Sequence, residues 1–267
     1  MIKRVIIFVL AGLTMALLLF AYADQSWAQG SPETESMGLA NQLYERGNFI
    51  EAAQTYKQLV DIGIQNSALY YNLGNAYFKQ GDFGRAILNY ERGARLAPRD
   101  SDIQANLALA RSQRTDQYVG EEASTLSQIA LFARAWLTLN EMALITLALW
   151  LLFTLLLLVY WNVRLRRLRE GLQYLLFITT LLLLVGLFSL ANRLYVERMR
   201  PQAIIVVEEV PLLSGPGEQY IVQLTLHSGA EVALIETQSN WARLSLPGDQ
   251  LQGWVPMDAV ERVLISK

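Results

Sequence analysis

Cysteine is absent from the 267 residues, and histidine occurs once, at position 227. Without cysteine there is no disulfide framework and no thiolate chemistry, so stability outside the cell must come from packing. A metal site needs three or four convergent ligands, and a catalytic triad needs a placed base. His227 has neither setting and reads as a histidine of a surface turn. A Gly-rich phosphate loop, paired carboxylates with a pocket signature and a nucleophile motif are all missing, so nothing in the chain indicates an enzyme, a metal or a cofactor. An excess of basic charge is missing too: 22 Lys and Arg face 24 Asp and Glu, a net charge of −2. Nucleic acid binding rests on Lys and Arg neutralising phosphates, so that class is excluded. From residue 203 onward three cations (Arg243, Arg262, Lys267) stand against eight carboxylates, a poor ligand for anionic polymers or anionic lipid.

Charge is also absent from two long stretches, Met142–Val163 and Gly171–Asn192, and Arg164, Arg166, Arg167 and Arg169 lie between them. A hydrocarbon core about 30 Å thick needs about 20 helical residues, so each stretch is long enough to cross. The alternative is a pair of helices buried in a large soluble core. Leu151–Val159 and Leu181–Leu187 are apolar on every helical face, which favours lipid. Arginines in residues 164–170 mark that loop as cytoplasmic by the positive-inside tendency. Both flanks then lie outside the cytoplasm of a bacterial inner membrane. At the start, Lys3 and Arg4 precede the charge-free run Val5–Ala23. Residues 1–28 read as a signal peptide with cleavage candidates after Ala23 or Ala28, or as an uncleaved anchor.

Between residues 33 and 117 the chain repeats itself at a spacing of 34: Gly47, Phe49, Ala52 and Tyr56 recur as Gly81, Phe83, Ala86 and Tyr90. This period is the tetratricopeptide signature, two helices per unit. The units are 33–66 and 67–100, with a capping helix over 101–117. Tyr70, Leu73, Gly74, Tyr77, Ala86, Tyr90 and Pro98 are expected to carry the packing of the second unit. Gly93 stands where alanine is usual, at a cost of up to ~1 kcal/mol of helix stability. Capping boxes are expected at Asn48 with Glu51 and at Ser101 with Gln104. Such arrays hold a peptide or protein on the surface of their first helices, here Tyr71, Asn72, Asn75, Phe78 and Lys79. Asn72 and Asn75 raise the alternative of a carboxylate clamp. Against it, Ala105 and Leu109 occupy the places where a clamp carries cations.

Residues 118–141 read as a polar connector followed by a helix at the membrane surface, with Trp136 at headgroup depth and a fresh helix start at Asn140–Glu141. Arg193, Tyr195 and Arg198 are expected to anchor the end of the second span, and Pro201 to break its helix. Five short β-rich runs follow within 203–265: Ala203–Val207, Tyr220–Leu226, Val232–Thr237, Trp241–Leu246 and Gly253–Val255. They predict a small all-β barrel. Leu213–Gly217, Thr225–Gly229 and Gly253-Trp254-Val255 resemble a bacterial SH3 domain, in which Trp241 and Trp254 are half-buried packing residues or ligand platforms. The fold class is a multidomain membrane protein: an all-α tetratricopeptide solenoid, a transmembrane helical hairpin and an SH3-like barrel, the two soluble parts being separate domains.

This order of parts resembles the BatE proteins of aerotolerance-type operons, through Ser67–Asp100, Leu137–Trp150, Thr225–Gly229 and Gly253–Pro256. The resemblance implies a non-enzymatic inner-membrane partner of von Willebrand factor A-type membrane proteins and a MoxR-type ATPase, in envelope stress tolerance. The functional expectation is a scaffold binding other envelope proteins, with a peptidoglycan-binding sensor or anchor as the alternative.

Overall fold

Gly47 and Gly81, 34 residues apart, both adopt positive φ (83° and 81°), a conformation that glycine alone takes without a Cβ penalty. Each ends the first helix of a unit. After Gly47, the Asn48 N–H bonds back to the Leu43 carbonyl at 2.9 Å; after Gly81, Asp82 does the same to Tyr77 at 3.0 Å. The computed structural model describes residues 31–116, 136–249 and 251–264. The expected signal segment, the connector and most of the surface helix before Trp136 lie outside the described residues.

The repeat helices are α1 (Ser31–Glu45), α2 (Phe49–Asp61), α3 (Ser67–Lys79), α4 (Phe83–Leu96) and α5 (Ser101–Ser112). Gly74 sits where α3 crosses α4: a Cβ there would come within 2.7 Å of the Tyr90 ring. Gly93 has a packing reason that its helix propensity hides, since a Cβ would lie 3.3 Å from Ile103 and 3.4 Å from the Ser67 carbonyl. Both capping boxes need correction. Asn48 makes no side-chain cap bond, whereas Asp82, its equivalent one unit on with similar backbone angles, accepts from Arg85 N–H at 3.0 Å. Helix α5 is capped by Asp100, whose Oδ1 accepts from Asp102 N–H (3.0 Å) and Ile103 N–H (3.2 Å). A carboxylate there also suits the positive helix end. Gln104 instead donates to the Pro98 carbonyl at 3.1 Å.

Helices α6 (Leu139–Asn162) and α7 (Arg166–Met199) are long and apolar enough to cross a membrane. They belong to a unit, Leu137–Leu194, separate from the one that holds the repeats. Neither helix is buried within the described residues: Phe177 and Phe188 are 71% and 73% exposed, and about half of the leucines of the two helices are exposed as well. Thr138, ahead of Asn140, caps α6. Its hydroxyl accepts from Glu141 N–H at 3.1 Å while the Glu141 carboxylate accepts from Thr138 N–H at 2.8 Å. Residues 163–165 join the helices, and Arg166, Arg167 and Arg169 already lie in the opening turns of α7. The two helices approach at Gly186, where a Cβ would sit 3.0 Å from Thr146 Oγ1. Arg193, expected as an interfacial anchor, is buried and donates to the Leu137 carbonyl at 2.6 Å.

The C-terminal strands number seven among the described residues: β1 (Gln202–Ile205), β2 (Glu209–Leu213), β3 (Val222–His227), β4 (Glu231–Gln238), β5 (Trp241–Ser245), β6 (Gln252–Pro256) and β7 (Val260–Arg262). Every pairing is antiparallel, in the order β3-β2-β6-β5-β4-β1-β7. This corrects the expected barrel: the order has two free ends, β3 and β7, and the sheet does not close. It also adds β2 and β7 to the five expected strands. Pro211 hides β2 in the sequence. The strand tolerates it because β2 meets β6 only at Leu213–Trp254, leaving its side unpaired at Pro211.

The repeats and the sheet form one unit. The sequence reading separated them; a shared core of Ala86, Ile87, Leu88, Tyr90, Leu107, Ala110, Ile204, Val206 and Val263 joins them. Strand β1 explains how. Ala203 and Ile205 enter the core of the sheet, whereas Ile204 and the following Val206 enter the core of the helices. The sheet therefore covers the apolar end of α4 and α5 that a further repeat helix would otherwise take.

Candidate protein-binding surfaces

Helices α1, α3 and α5 lie side by side, and asparagines stitch them together at the repeat period. Asn41 Oδ1 accepts from the Tyr56 hydroxyl (2.6 Å) and from Asn72 Nδ2 (3.1 Å). One unit on, Asn75 Oδ1 accepts from the Tyr90 hydroxyl (2.6 Å) and Asn106 Nδ2 (2.9 Å). Asn106 also donates to the Tyr71 hydroxyl at 3.1 Å. Burial is the main cause that pushes Tyr56 up to about 12 and Tyr90 higher still, so both phenols remain donors at ordinary pH.

Of the residues expected to line the groove, Asn72 and Asn75 are thus held in place by neighbouring units. Tyr71 and Phe78 lean on the core shared with the sheet, and Phe78 stacks edge-on against Phe83 at 5.5 Å. Lys79, in the last turn of α3, is exposed. The carboxylate clamp lacks its cations: exposed Ala105 and Leu109 bring none to α5, and Asn72 already donates its amide to Asn41. Asn41 and Asn106 escaped the sequence reading. The spacing of 34 in Asn41–Asn75 and Asn72–Asn106 was the signal.

The packing residues Tyr70, Leu73, Gly74, Ala86 and Tyr90 are buried, Tyr77 is half-buried, and Pro98 follows the end of α4. A small cavity of about 250 Å³ lies on the opposite side, between α2, α4 and Glu261. Its charges are paired, Lys57 with Asp61 at 2.7 Å and Arg92 with Glu261 at 3.5 Å within it, and Arg85 with Asp82 at 2.6 Å beside it.

A second surface lies on the sheet. A groove of about 900 Å³ is lined by Pro211, Leu213, Val222, Trp241, Pro256 and Met257, with Glu218, Asn240 and Asp258 completing it. Trp241 is half-buried and opposes Pro256 in the β5–β6 ladder, whereas Trp254 is packed to 9% exposure. One tryptophan therefore faces the groove and the other mainly packs.

Polar bonds surround the joint between repeats and sheet. Glu231 takes Arg111 at 2.7 Å and Arg114 at 2.7 Å, and Arg111 reaches Glu91 as well. Arg92 donates to the carbonyls of Arg262 (2.8 Å) and Val263 (3.2 Å). His227 is no isolated turn residue. Asp116 accepts from its backbone N–H at 2.7 Å and contacts its ring Nδ1 at 2.9 Å. The Arg–Glu pairs of the joint are partly desolvated, so breaking one leaves its partner with part of the cost of burying a charge.

Among the described residues, no group of three or more His, Cys, Asp or Glu is placed to hold a metal ion. No curated protein matches the chain. Two family models match within the helical array: TPR repeat over residues 40–81 and tetratricopeptide repeat over residues 67–100. Residues 40–100 are therefore tetratricopeptide repeats, modules of protein–protein interaction.

Proposed function

We propose that this chain is a non-catalytic, membrane-anchored adaptor that gathers other envelope proteins outside the cytoplasm. The observation that carries this reading is the conjunction of tetratricopeptide repeats with two long helices that expose about half of their leucines together with Phe177 and Phe188. Exposed apolar surface of that extent asks for lipid. The arginines at 164, 166, 167 and 169 favour a cytoplasmic hairpin tip, and an even number of crossings returns the chain to its starting side. Repeats and sheet then both face outward. Two binding surfaces on one tethered unit raise each other's effective concentration for a common assembly.

The resemblance to BatE proteins supports von Willebrand factor A-type membrane proteins and a MoxR-type ATPase system as the partners, and an SH3-like role for the sheet in envelope stress tolerance. The test is cross-linked purification from native membranes of the parent chain and of a Lys79→Glu/Leu109→Glu variant. Both positions are exposed on the repeats, so folding is preserved. Loss of specific partners from the variant is expected; identical recovery from both would count against the repeat surface as the binding site. Reporter fusions at Ser67 and Ser228 test sidedness, and cytosolic activity of either would overturn it.

A further inference from the structure

We infer that the groove of the sheet docks an extended, cationic and apolar peptide segment of a partner protein. The inference rests on the adaptor reading and names the chemistry of one partner. Charge is the first argument. Elsewhere on the sheet, Glu231, Glu261 and Glu236 pair with Arg111 and Arg114, Arg92, and Arg243, while Glu208 and Glu209, where β2 begins, are exposed without an ion pair among the described residues. Glu218 and Asp258, at the groove, are exposed and have no ion-pair partner among the described residues, and no Lys or Arg lines the groove. Two unneutralised carboxylates beside an apolar floor of Trp241, Pro256 and Met257 complement Lys or Arg side chains flanking apolar ones.

Shape is the second argument. Among the described residues strand β3 pairs with β2 alone, so apart from the His227 N–H, which Asp116 takes, its outward N–H and C=O groups are open to an added strand. Its first residue and the two before it are unusually apolar for an edge: Val222 is 54% exposed, Ile221 78% and Tyr220 44%. Solvated edges are normally blunted by charge. Val222 belongs to both the edge and the groove, so an extended segment would cover the two together.

The experiment uses the full chain in phosphatidylcholine nanodiscs and two fluorescein-labelled octapeptides, one alternating valine with lysine, the other valine with glutamate. Fluorescence anisotropy should show at least about tenfold tighter binding of the lysine peptide, weakening with salt. Glu218→Gln/Asp258→Asn should lower its affinity by about tenfold or more at an unchanged melting temperature. The Lys79→Glu/Leu109→Glu variant should bind it as the parent does. Equal affinity for the two peptides, binding of neither, or an unaffected Glu218/Asp258 variant would overturn the site. Loss of binding in the Lys79/Leu109 variant alone would also overturn it, moving the peptide to the repeats and leaving the adaptor reading intact. Co-sedimentation with isolated sacculi that depends on Glu218 and Asp258 would overturn it in favour of a cell-wall ligand.

Discussion

Asn75 serves two donors with one oxygen; the Tyr90 hydroxyl depends on it, whereas Asn106 also reaches the Tyr71 hydroxyl. Its replacement by leucine strands the Tyr90 hydroxyl, at 1% exposure. An unsatisfied buried donor costs about 1–3 kcal/mol, whereas Tyr90→Phe, which removes only the hydroxyl, should cost about 1 kcal/mol. Denaturant midpoints of the two variants should fall in that order. Alkaline titration probes the same device. Tyr56 titrates near 10 when unfolded and about 12 when folded, so the native state keeps its proton longer. The stabilisation is fully present below pH 10 and is lost as pH rises through about 12. Tyr56→Phe should flatten the fall of stability in that window. The tyrosines were legible in the sequence, because a 34-residue period demands large residues around Gly74. Their asparagine partners were not, since a polar residue on a half-exposed helix face ordinarily looks solvated.

Helices α6 and α7 meet at a glycine and a threonine, Gly186 and Thr146. Small residues are what let helices approach in lipid, where apolar side chains gain nothing from leaving the hydrocarbon. Gly186→Leu should therefore separate the pair and lower the melting temperature of the detergent-solubilised chain, while Gly186→Ala should cost much less. Thr146, which donates to the Met142 carbonyl at 2.8 Å, already has a backbone partner and would not resist the move. The existence of these helices was plain from composition; their ends were not. Thr138 and Asp100 both cap one or two residues ahead of the expected starts, and a cap depends on local backbone angles that residue identity alone leaves open. Strands β2 and β7 escaped for different reasons, one interrupted by Pro211 and the other only three residues long.

At the scale of the whole molecule, the joint between repeats and sheet was the least legible feature. Ile204 and Ile205 are both fully buried, so β1 shows no alternation that would betray a second packed face. Removing residues 203–267 should expose Ile87, Leu107 and Ala110 together, lowering the thermal midpoint of the repeats and promoting their aggregation, as light scattering would report. Intact, repeats and sheet should lose amide protection in a single step, because nine residues from both sides share one core.

That shared core has a consequence for biogenesis. The residues that finish the repeat array, Ile204, Val206 and Val263, leave the ribosome long after Leu107 and Ala110. At synthesis rates of about 5–20 residues per second, the stretch from Leu107 to Ile204 alone takes roughly 5–20 s. Throughout that interval the nascent repeats carry an apolar end with nothing yet made to shield it. A chain cut short before the final strands therefore carries a sticky repeat end rather than a working N-terminal domain.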